Sequence, residues 1–405
     1  MRLLSLVILT CLSCVTAGYA LDIRGPYLSG LESGEATIVV HTDEDVEAVI
    51  EYEDRKNKNL SQKKASPAGG RHIFNIEGLT PGTEYTYRIL FKDNTGNFVD
   101  QSKQTNTFST PPQNLDEFSF IAYGDSRDSS KKPKRHELIA SQFLKYKPLF
   151  IISTGDILLG GKSATASAFN DDWTLNFFRP LRNVINSVPY LVSAGNHELD
   201  SPEAEQGFRQ VFPTLKESFN YSFRYGRTSF IVLNTPNRMK EFQSQKQWFI
   251  KELEKAGNAD WRVVFLHVSP FTNGKYLKNS WTLDGREDFL KTCVENKVDL
   301  VFSGHDHSYQ RFHPLRFSDN DSHAVLFVVT GLAGTNAYKA EPGEFTAQAV
   351  NNTDHFCVVN VTHDRLSLKA YNNNNQLIDE AMLSKGEINL GKVWQSVTME
   401  SSRGQ

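Results

Sequence analysis

The chain has 405 residues, long enough for two or three domains, and its 39% hydrophobic and 22% charged residues are typical of a globular protein. It carries 44 lysine and arginine residues against 47 acidic residues, a formal net charge of −3, and the two signs are mixed along the sequence. This balance shows no sign of the strongly basic surface with which a protein binds nucleic acid or an anionic membrane, and it argues against such partners.

Residues 1–20 have the pattern of a cleavable secretory signal. Arg2 precedes an apolar run from Leu3 to Val15, and small residues such as Ala17 and Ala20 follow it. A membrane anchor is the alternative, but this run is shorter than the roughly 20 apolar residues that span a bilayer. We therefore expect a secreted, periplasmic or extracellular protein with no transmembrane segment.

Residues 22–112 predict a small antiparallel β-sandwich. Polar and apolar residues alternate over 35–42, 46–53 and 84–91, and Gly, Pro, Asn and Asp separate these runs. Tyr85 follows a Pro81-Gly82 turn, where its hydroxyl can bond to the backbone across the corner, so its predicted role is structural. Pro111 and Pro112 end the module.

Residues 115–384 predict a layered α/β domain, because apolar strand-like runs alternate with longer amphipathic stretches. The predicted strands are 118–123, 149–153, 190–193, 263–266 and 300–303. The predicted helices are 134–146, 169–186, 243–255 and 286–296. Residues 221–234 favour a hairpin, 324–371 are again strand-rich, and 385–405 predict a loose tail or a surface strap.

Polar side chains that can bind metal follow each of the five predicted strands. In chain order they are Asp125, Asp156, Asn196, His267 and the pair His305 and His307. Because ligands of open α/β sheets bind beyond the carboxyl ends of the strands, we expect these residues to meet at one rim of the sheet. Oxygen and imidazole donors without thiolates suit Zn, Mn or Fe.

Such a cluster points to hydrolysis of a phosphate ester. The carboxylate of Asp156 has two oxygens and can bridge two ions, which makes Asp156 a predicted catalytic residue. Two ions about 3.5–4 Å apart can share a hydroxide that attacks phosphorus while the ions stabilise the equatorial oxygens. The expected partner is therefore a small phosphate ester.

Five blocks around these residues resemble those of the calcineurin-like metallophosphoesterases, in particular the purple acid phosphatase type. In chain order they are GDSR from Gly124, GDILL from Gly155, GNHE from Gly195, VVFLH ending at His267 and GHDHSYQR from Gly304. The amino-terminal module resembles the fibronectin type III-like domain of that type. The resemblance implies an α/β (α+β) fold, a sandwich of two mixed sheets flanked by helices, preceded by a small all-β fibronectin-like sandwich.

The resemblance also implies roles for individual residues. The first of two divalent or trivalent ions, of Fe, Mn or Zn, would be held by Asp125, Asp156 and His307. The second would be held by Asp156, Asn196, His267 and His305. His197 would contact the phosphate or protonate the leaving oxygen, with Glu198 orienting its ring.

Two departures from the family pattern concern the first ion. Leu159 stands where the purple members have a tyrosine that binds ferric iron, so we expect a colourless protein. Arg127 stands where the wider family often has a histidine, which leaves the first ion one protein ligand fewer. Arg127 either contacts the substrate phosphate through its guanidinium fork or forms a surface salt bridge.

Three alternatives stay open at this stage. The same centre could cleave phosphodiesters or nucleotides, or the chain could be a binding or adhesion protein that uses the sandwich and has a weakened centre. Cys293 and Cys357 either form one disulfide bridge or are simply buried. Tyr309 and Arg311 either line the pocket or continue a strand.

Overall fold

The computed structural model describes residues 21–57, 62–101, 104–129, 134–161, 165–215, 218–385 and 392–393. The predicted signal over 1–20 and most of the predicted tail lie outside these ranges. Lys392 and Val393 pair in parallel with Leu315 and Arg316, as expected for a strap on the surface.

The amino-terminal part of the chain is all β. Its strands are β1 (Ile23–Leu31), β2 (Ala36–Asp54), β3 (Gln62–Ile76), β4 (Glu84–Lys92), β5 (Phe98–Val99) and β6 (Asn106–Ser109). The two strands predicted over 35–42 and 46–53 are one long strand, β2, whose register against β3 shifts between His41 and Val46. Its first part pairs with β1 and its last part with β4, so the strand bends around the core instead of ending.

Tyr85 has the predicted structural role. Its hydroxyl accepts a hydrogen bond from the backbone N–H of Thr80 at 2.8 Å. Its ring is buried and stacks on Phe108 with the ring centroids 5.4 Å apart. The bond and the stack fix the entry to β4 across the Pro81-Gly82 turn.

The remainder of the chain forms two large sheets with helices outside them. The strands are β7 (Phe118–Tyr123), β8 (Phe150–Ser153), β9 (Tyr190–Val192), β10 (Tyr221–Tyr225), β11 (Thr228–Val232), β12 (Trp261–Phe265), β13 (Leu300–Ser303), β14 (Tyr309–Phe312), β15 (Leu315–Arg316), β16 (Leu326–Thr330), β17 (Thr346–Val350), β18 (His355–Val361), β19 (Arg365–Asn372), β20 (Leu377–Ser384) and β21 (Lys392–Val393). One sheet has the order β10-β11-β12-β13-β16-β14-β17 and the other β20-β19-β18-β7-β8-β9.

The helices flank this pair of sheets. They are α1 (Lys134–Phe143), α2 (Asp171–Trp173), α3 (Arg179–Leu181), α4 (Pro202–Val211), α5 (Phe242–Ala256), α6 (Ser280–Leu283) and α7 (Arg286–Glu295). None of these described helices has both the length and the apolar character needed to cross a membrane.

Three apolar layers hold the two sheets and the helices together. Between the sheets, Phe120 of β7 packs with Phe230 and Phe302 of the facing strands. Outside the six-stranded sheet, α1 and α4 cover one core, and outside the seven-stranded sheet, α5 and α7 cover another. The observed fold is therefore the predicted sandwich of two mixed sheets between helices.

One predicted helix is interrupted by a π turn. The segment predicted over 169–186 consists of α2, a π turn at Thr174–Phe178 and α3. Pro180 has no N–H to bond to the carbonyl of Asn176 four residues earlier, so a regular α-helix cannot pass through it. Even so, Trp173 and Phe177 pack into the core beside the six-stranded sheet, as predicted.

The six amino-terminal strands form one antiparallel sheet, in the order β1-β2-β4-β5 with β3 paired to β2 and β6 paired to β4. This amino-terminal sheet packs directly on the larger part of the molecule. Tyr27 of β1 joins the core that contains Phe177 and Phe178. The N–H of Leu28 donates to the carbonyl of Ile185 at 2.8 Å, and the hydroxyl of Tyr87 donates to the carbonyl of Asn186 at 2.7 Å. The amino-terminal sheet is thus part of one continuous packed structure.

Cys293 and Cys357 do not form a disulfide bridge. Cys293 lies in the core outside the seven-stranded sheet, whereas Cys357 lies in the core between the sheets. Both are free and buried. Of the two alternatives, simple burial is therefore the observed one.

Candidate metal centre

The strand ends that carry the predicted ligands belong to two facing sheets. In the six-stranded sheet, β7, β8 and β9 are neighbouring parallel strands, and Asp125, Asp156 and Asn196 follow them. In the seven-stranded sheet, β12 and β13 are neighbouring parallel strands, and His267 and His305 follow them. The prediction that a single sheet carries all the ligands is wrong, because the centre lies where the carboxyl ends of two sheets meet.

Four side chains converge on one point in the second of the two predicted ligand sets. His267 Nε2 lies 3.2 Å from Asn196 Oδ1, 3.2 Å from His305 Nδ1 and 3.4 Å from Asp156 Oδ1. The carbonyl of Thr154, 2.8 Å from His267 Nδ1, accepts that proton and leaves the lone pair of Nε2 facing the other three groups. This set, which we call the second donor set, consists of Asp156, Asn196, His267 and His305.

The first donor set consists of Asp125, Asp156 and His307, whose candidate ligand atoms lie within 4.8 Å of one another. His307 Nδ1 donates to the carbonyl of Asn336 at 2.7 Å, so its Nε2 faces the centre. That nitrogen lies 3.4 Å from Asp125 Oδ1. Asp156 is shared, with Oδ1 beside His267 and Oδ2 on the side of the first set.

The guanidinium of Arg127 lies inside the first donor set. Its Nη1 donates to Asp156 Oδ2 at 2.5 Å and is 3.5 Å from Asp125 Oδ1, and its Nη2 is 3.3 Å from His307 Nε2. Arg127 is only 8% exposed. The surface salt bridge expected as one alternative is therefore wrong, because the ion pairs that Arg127 forms are buried and join it to predicted metal ligands.

The buried charges set the protonation states of the donors. Burial alone would raise the pKa of Asp156, but the positive charge of Arg127 and then the ring of His267 hold that pKa well below its usual range. Burial and the neighbouring His267 ring lower the pKa of His305 well below its usual value. An ionised carboxylate and a neutral imidazole are the forms that bind a metal ion.

The backbone at three of the ligands is strained. Asp125, Asp156 and His305 have φ values of 52°, 55° and 66°, in the left-handed region that residues other than glycine seldom adopt. Gly155, with φ 100°, precedes Asp156, and a Cβ atom there would lie 2.7 Å from the backbone nitrogen of Gly195. The β8 and β9 loops approach each other this closely only because glycine stands at that position.

Glu198 fixes the loops around Asp156. Its carboxylate, fully buried, accepts hydrogen bonds from the backbone N–H groups of Asp156, Ile157, Leu158 and Gly195 at 2.8–3.0 Å. We expected Glu198 to orient the ring of His197, and this contact is absent among the described residues. The carbonyl of Leu159 holds that ring instead, 2.5 Å from His197 Nδ1.

His197 lies at the edge of the centre. Its Nε2 is 3.9 Å from Asp156 Oδ2, and its side chain is 29% exposed. It is thus more open to solvent than the buried donors, which suits a group that meets a substrate.

An aromatic rim beside the centre has no signal in the sequence. Tyr276 stacks on His305 with ring centroids 4.2 Å apart, and Tyr338 stacks on His307 at 3.9 Å. Lys275 Nζ lies 4.1 Å from the Tyr338 ring centroid, and Trp281 is 37% exposed next to Tyr276. Tyr338 lies far along the chain from Lys275, Tyr276 and Trp281, so no local motif could have joined these residues.

Tyr309 and Arg311 have structural roles in a strand. The hydroxyl of Tyr309 donates to Asp379 Oδ2 at 2.7 Å, and Arg311 Nε donates to the same oxygen at 2.6 Å. Both residues lie on β14, so the expectation that they continue a strand is the correct one.

The sequence profile of the calcineurin-like phosphoesterase family matches residues 129–309, which include Asp156, Asn196, His267, His305 and His307. This chain contains a calcineurin-like phosphoesterase domain.

Relatives of this phosphoesterase domain are purple acid phosphatases of plants. The chain is 26% identical to probable inactive purple acid phosphatase 27 of Arabidopsis thaliana, over 65% of this chain and 49% of the relative. It is 25% identical to purple acid phosphatase 1 of Ipomoea batatas, over 59% of this chain and 51% of the relative. The chain thus spans about half the length of these relatives.

Solved structures share the fold. A purple acid phosphatase from yellow lupin (Lupinus luteus) seeds superposes with a TM-score of 0.75 at 18% identity, covering 94% of this chain and 78% of the lupin chain. The structure of PhoD superposes with a TM-score of 0.66 at 12% identity, covering 89% of this chain and 92% of PhoD. The phosphoesterase domain together with its amino-terminal sheet therefore has the purple acid phosphatase fold.

Proposed function

We propose that this chain is an exported, metal-dependent hydrolase of small phosphate esters. The observation that carries the proposal is the convergence of the second donor set, in which the side chains of Asp156, Asn196 and His305, each from a separate loop, surround His267 Nε2. The names of the plant relatives and the phosphoesterase domain agree with this chemistry. Export rests on the apolar run of residues 1–20.

The second donor set fits a divalent ion. Carboxylate, amide and imidazole donors are the ligands of Zn, Mn and Fe, and Thr154 fixes the tautomer of His267 that such an ion needs. When bound there, an ion would polarise a phosphoryl oxygen and make water more acidic. The carboxylate of Glu198 accepts a hydrogen bond from the backbone N–H of Asp156 and so fixes the loop that positions Asp156 to bind the ion.

His197 is proposed to act on the substrate from the edge of the centre. Its Nδ1 is held by the carbonyl of Leu159, so Nε2 is the nitrogen that can reach a phosphate or protonate the leaving oxygen. A proton delivered there lets the alcohol leave as a neutral molecule. Arg127 is proposed to contact the phosphate through N–H groups that the first donor set does not use.

The predicted two-ion form of this centre depends on the first donor set. Its other ion, of Fe, Mn or Zn, would lie among Asp125, Asp156 and His307. Such an ion requires the Arg127 guanidinium to leave the position that it occupies, because both would use Asp156 Oδ2 and His307 Nε2.

A binding or adhesion protein with a weakened centre is the second candidate function. The observation that favours it is the buried guanidinium of Arg127 among metal ligands. A relative at 26% identity carries the name of a probable inactive phosphatase. Hydrolysis of aryl monoesters and diesters by the purified chain separates these functions, and the ratio of the two rates separates a phosphatase from a phosphodiesterase.

Asp156→Asn tests the hydrolase. Because Asp156 belongs to both donor sets, we expect kcat/KM for an aryl phosphate to fall more than about 100-fold. This loss is larger than the roughly 10–100-fold loss that follows when a residue hydrogen-bonded to a metal ligand is replaced. Bound metal, measured by plasma mass spectrometry, should fall in parallel. Asp319→Asn, at an exposed position, is the control and should keep both. Full activity in Asp156→Asn would rule out the proposed centre.

A further inference from the structure

We propose that the guanidinium of Arg127 replaces the first metal ion, so that this chain binds one ion where a two-ion centre binds two. The inference rests on the proposed metal-dependent function and specifies its cofactor content. It starts from the position of one side chain. Arg127 contacts a ligand atom of every member of the first donor set, namely Asp125, Asp156 and His307.

The contacts use the same lone pairs that an ion would need. Asp156 Oδ2 accepts from Nη1 at 2.5 Å, and His307 Nε2 faces Nη2 at 3.3 Å. Because Asn336 holds the proton of His307 on Nδ1, Nε2 of the neutral ring has only its lone pair to offer Arg127. A metal ion at this place would have to displace the guanidinium from all three partners.

Asp156 divides its two oxygens between a cation site and Arg127. Oδ1 accepts from the backbone N–H of His197 at 3.1 Å and lies 3.4 Å from His267 Nε2, on the side of the second donor set. Oδ2 is bonded to Arg127. The carboxylate thus bridges the second donor set and a guanidinium, in the way that it would bridge two ions.

Charge balance favours one ion beside Arg127. The three buried carboxylates near Arg127, those of Asp125, Asp156 and Glu198, balance one guanidinium and one divalent ion. Two divalent ions next to the guanidinium would leave a positive excess in a buried place, where like charges repel strongly. Arginine cannot relieve this excess by losing its proton.

Arg127 is fixed where it lies. Its side chain is 10% exposed, and its backbone N–H donates to the carbonyl of Asp156 at 3.3 Å. Leu159, in the same turn as Asp156, offers no ligand that could compensate for the lost position. Both departures from the family pattern, Arg127 and Leu159, therefore disfavour a first ion.

Metal counting tests the inference on the full purified chain. After loading with excess Mn²⁺ or Zn²⁺ and desalting, we expect one ion per wild-type chain by plasma mass spectrometry. Arg127→His, which removes the guanidinium and adds an imidazole, should raise the count toward two. Arg127→Lys keeps a cation at the position and is the matched control, expected to stay at one.

A spectroscopic readout independent of activity accompanies the count. With Mn²⁺, the wild-type chain should give the six-line electron paramagnetic resonance spectrum of an isolated ion, and Arg127→His should give the broader signal of two coupled ions. Two ions in the wild-type chain, or one in a folded Arg127→His variant, would overturn the inference. Circular dichroism establishes folding of each variant.

The outcomes also separate this inference from the proposed function. Two ions with phosphate release would overturn the single-ion centre and keep the hydrolase. One ion without phosphate release would overturn the hydrolase and keep the single-ion centre. A wild-type chain and an Arg127→His variant that both bind no ion would overturn both.

Discussion

At the scale of single residues, His197 is more open to solvent than the buried donors Asp156, His267 and His305. Its Nε2 is free to meet a substrate, whereas His267 and His305 are buried against other donors. A residue that protonates a leaving group matters most when that group is a poor one. The dependence of kcat/KM on the leaving group therefore tests whether His197 is the proton donor.

We predict that His197→Ala lowers kcat/KM for an alkyl phosphate by about 100-fold or more, the range of general acid catalysis. The loss for 4-nitrophenyl phosphate should be much smaller, because nitrophenolate leaves without a proton. Steady-state kinetics on the two substrates give the comparison, and His363→Ala, at an exposed position, is the control. Equal losses on both substrates would assign His197 to phosphate binding only.

The sequence predicted the residues that come together but not how they share the space. Asp125, Asp156, Asn196, His267, His305 and His307 could be named because each follows an apolar strand. The place of Arg127 could not be predicted, since only the packed side chains show that its guanidinium points between Asp125 and His307. The rim of Tyr276 and Tyr338 was missed for a related reason, because these two rings contact each other and the metal ligands only in the folded chain and lie far apart in the sequence.

At the scale of elements, the loops after β8 and β9 depend on one buried carboxylate. Burial raises the pKa of Glu198, with the nearby charge of Asp156 adding to the effect, yet four backbone N–H groups are bonded to its oxygens. Few other acceptors could satisfy four converging N–H donors at one point. Glu198 is thus the common support of the strained turn at Asp156 and of the loop that carries Asn196.

We predict that Glu198→Gln lowers the free energy of unfolding by about 2–4 kcal/mol, because its amide NH₂ faces two N–H donors and leaves them unsatisfied. Metal affinity should fall about 10–100-fold, as for other groups that support a ligand. Urea unfolding and metal titration measure these effects. Glu380→Gln, at an exposed position on β20, should change stability by less than about 0.5 kcal/mol. An unchanged unfolding free energy in Glu198→Gln would contradict this role.

Elements with regular periodicity were predicted well and irregular ones were not. The strand at Leu300–Ser303 has the predicted bounds, and β10 and β11 form the predicted hairpin. The segment around Pro180 was predicted as one helix because its apolar spacing is helical, although its backbone includes a π turn. Apolar spacing reports which face is buried, whereas the missing N–H of proline decides the hydrogen bonds.

At the scale of the whole molecule, the amino-terminal sheet and the two-sheet unit share a buried interface with an ionisable group inside it. His41 of β2 is nearly fully buried, and its Nε2 lies 3.0 Å from the hydroxyl of Tyr27, which also bonds to the carbonyl of Val211. Burial, together with the charges of Arg71 and His72, lowers the pKa of His41 to about 3. The buried interface therefore favours the neutral form of His41.

We predict that the molecule loses stability as the pH falls below about 6.5, the pKa that histidine regains on unfolding. His41 is neutral in the folded chain down to about pH 3, so between these values only the unfolded chain gains the proton. Each pH unit in this window lowers the unfolding free energy by about 1.4 kcal/mol for one such histidine. Urea unfolding from pH 7 to 4.5 measures the slope. His41→Phe should reduce this slope by up to about 1.4 kcal/mol per pH unit, the contribution of one proton. Tyr27→Phe removes only a neutral hydroxyl, so it should lower the unfolding free energy and keep the wild-type slope. Equal slopes in the wild-type chain and His41→Phe would exclude His41 as a source of acid sensitivity at the interface.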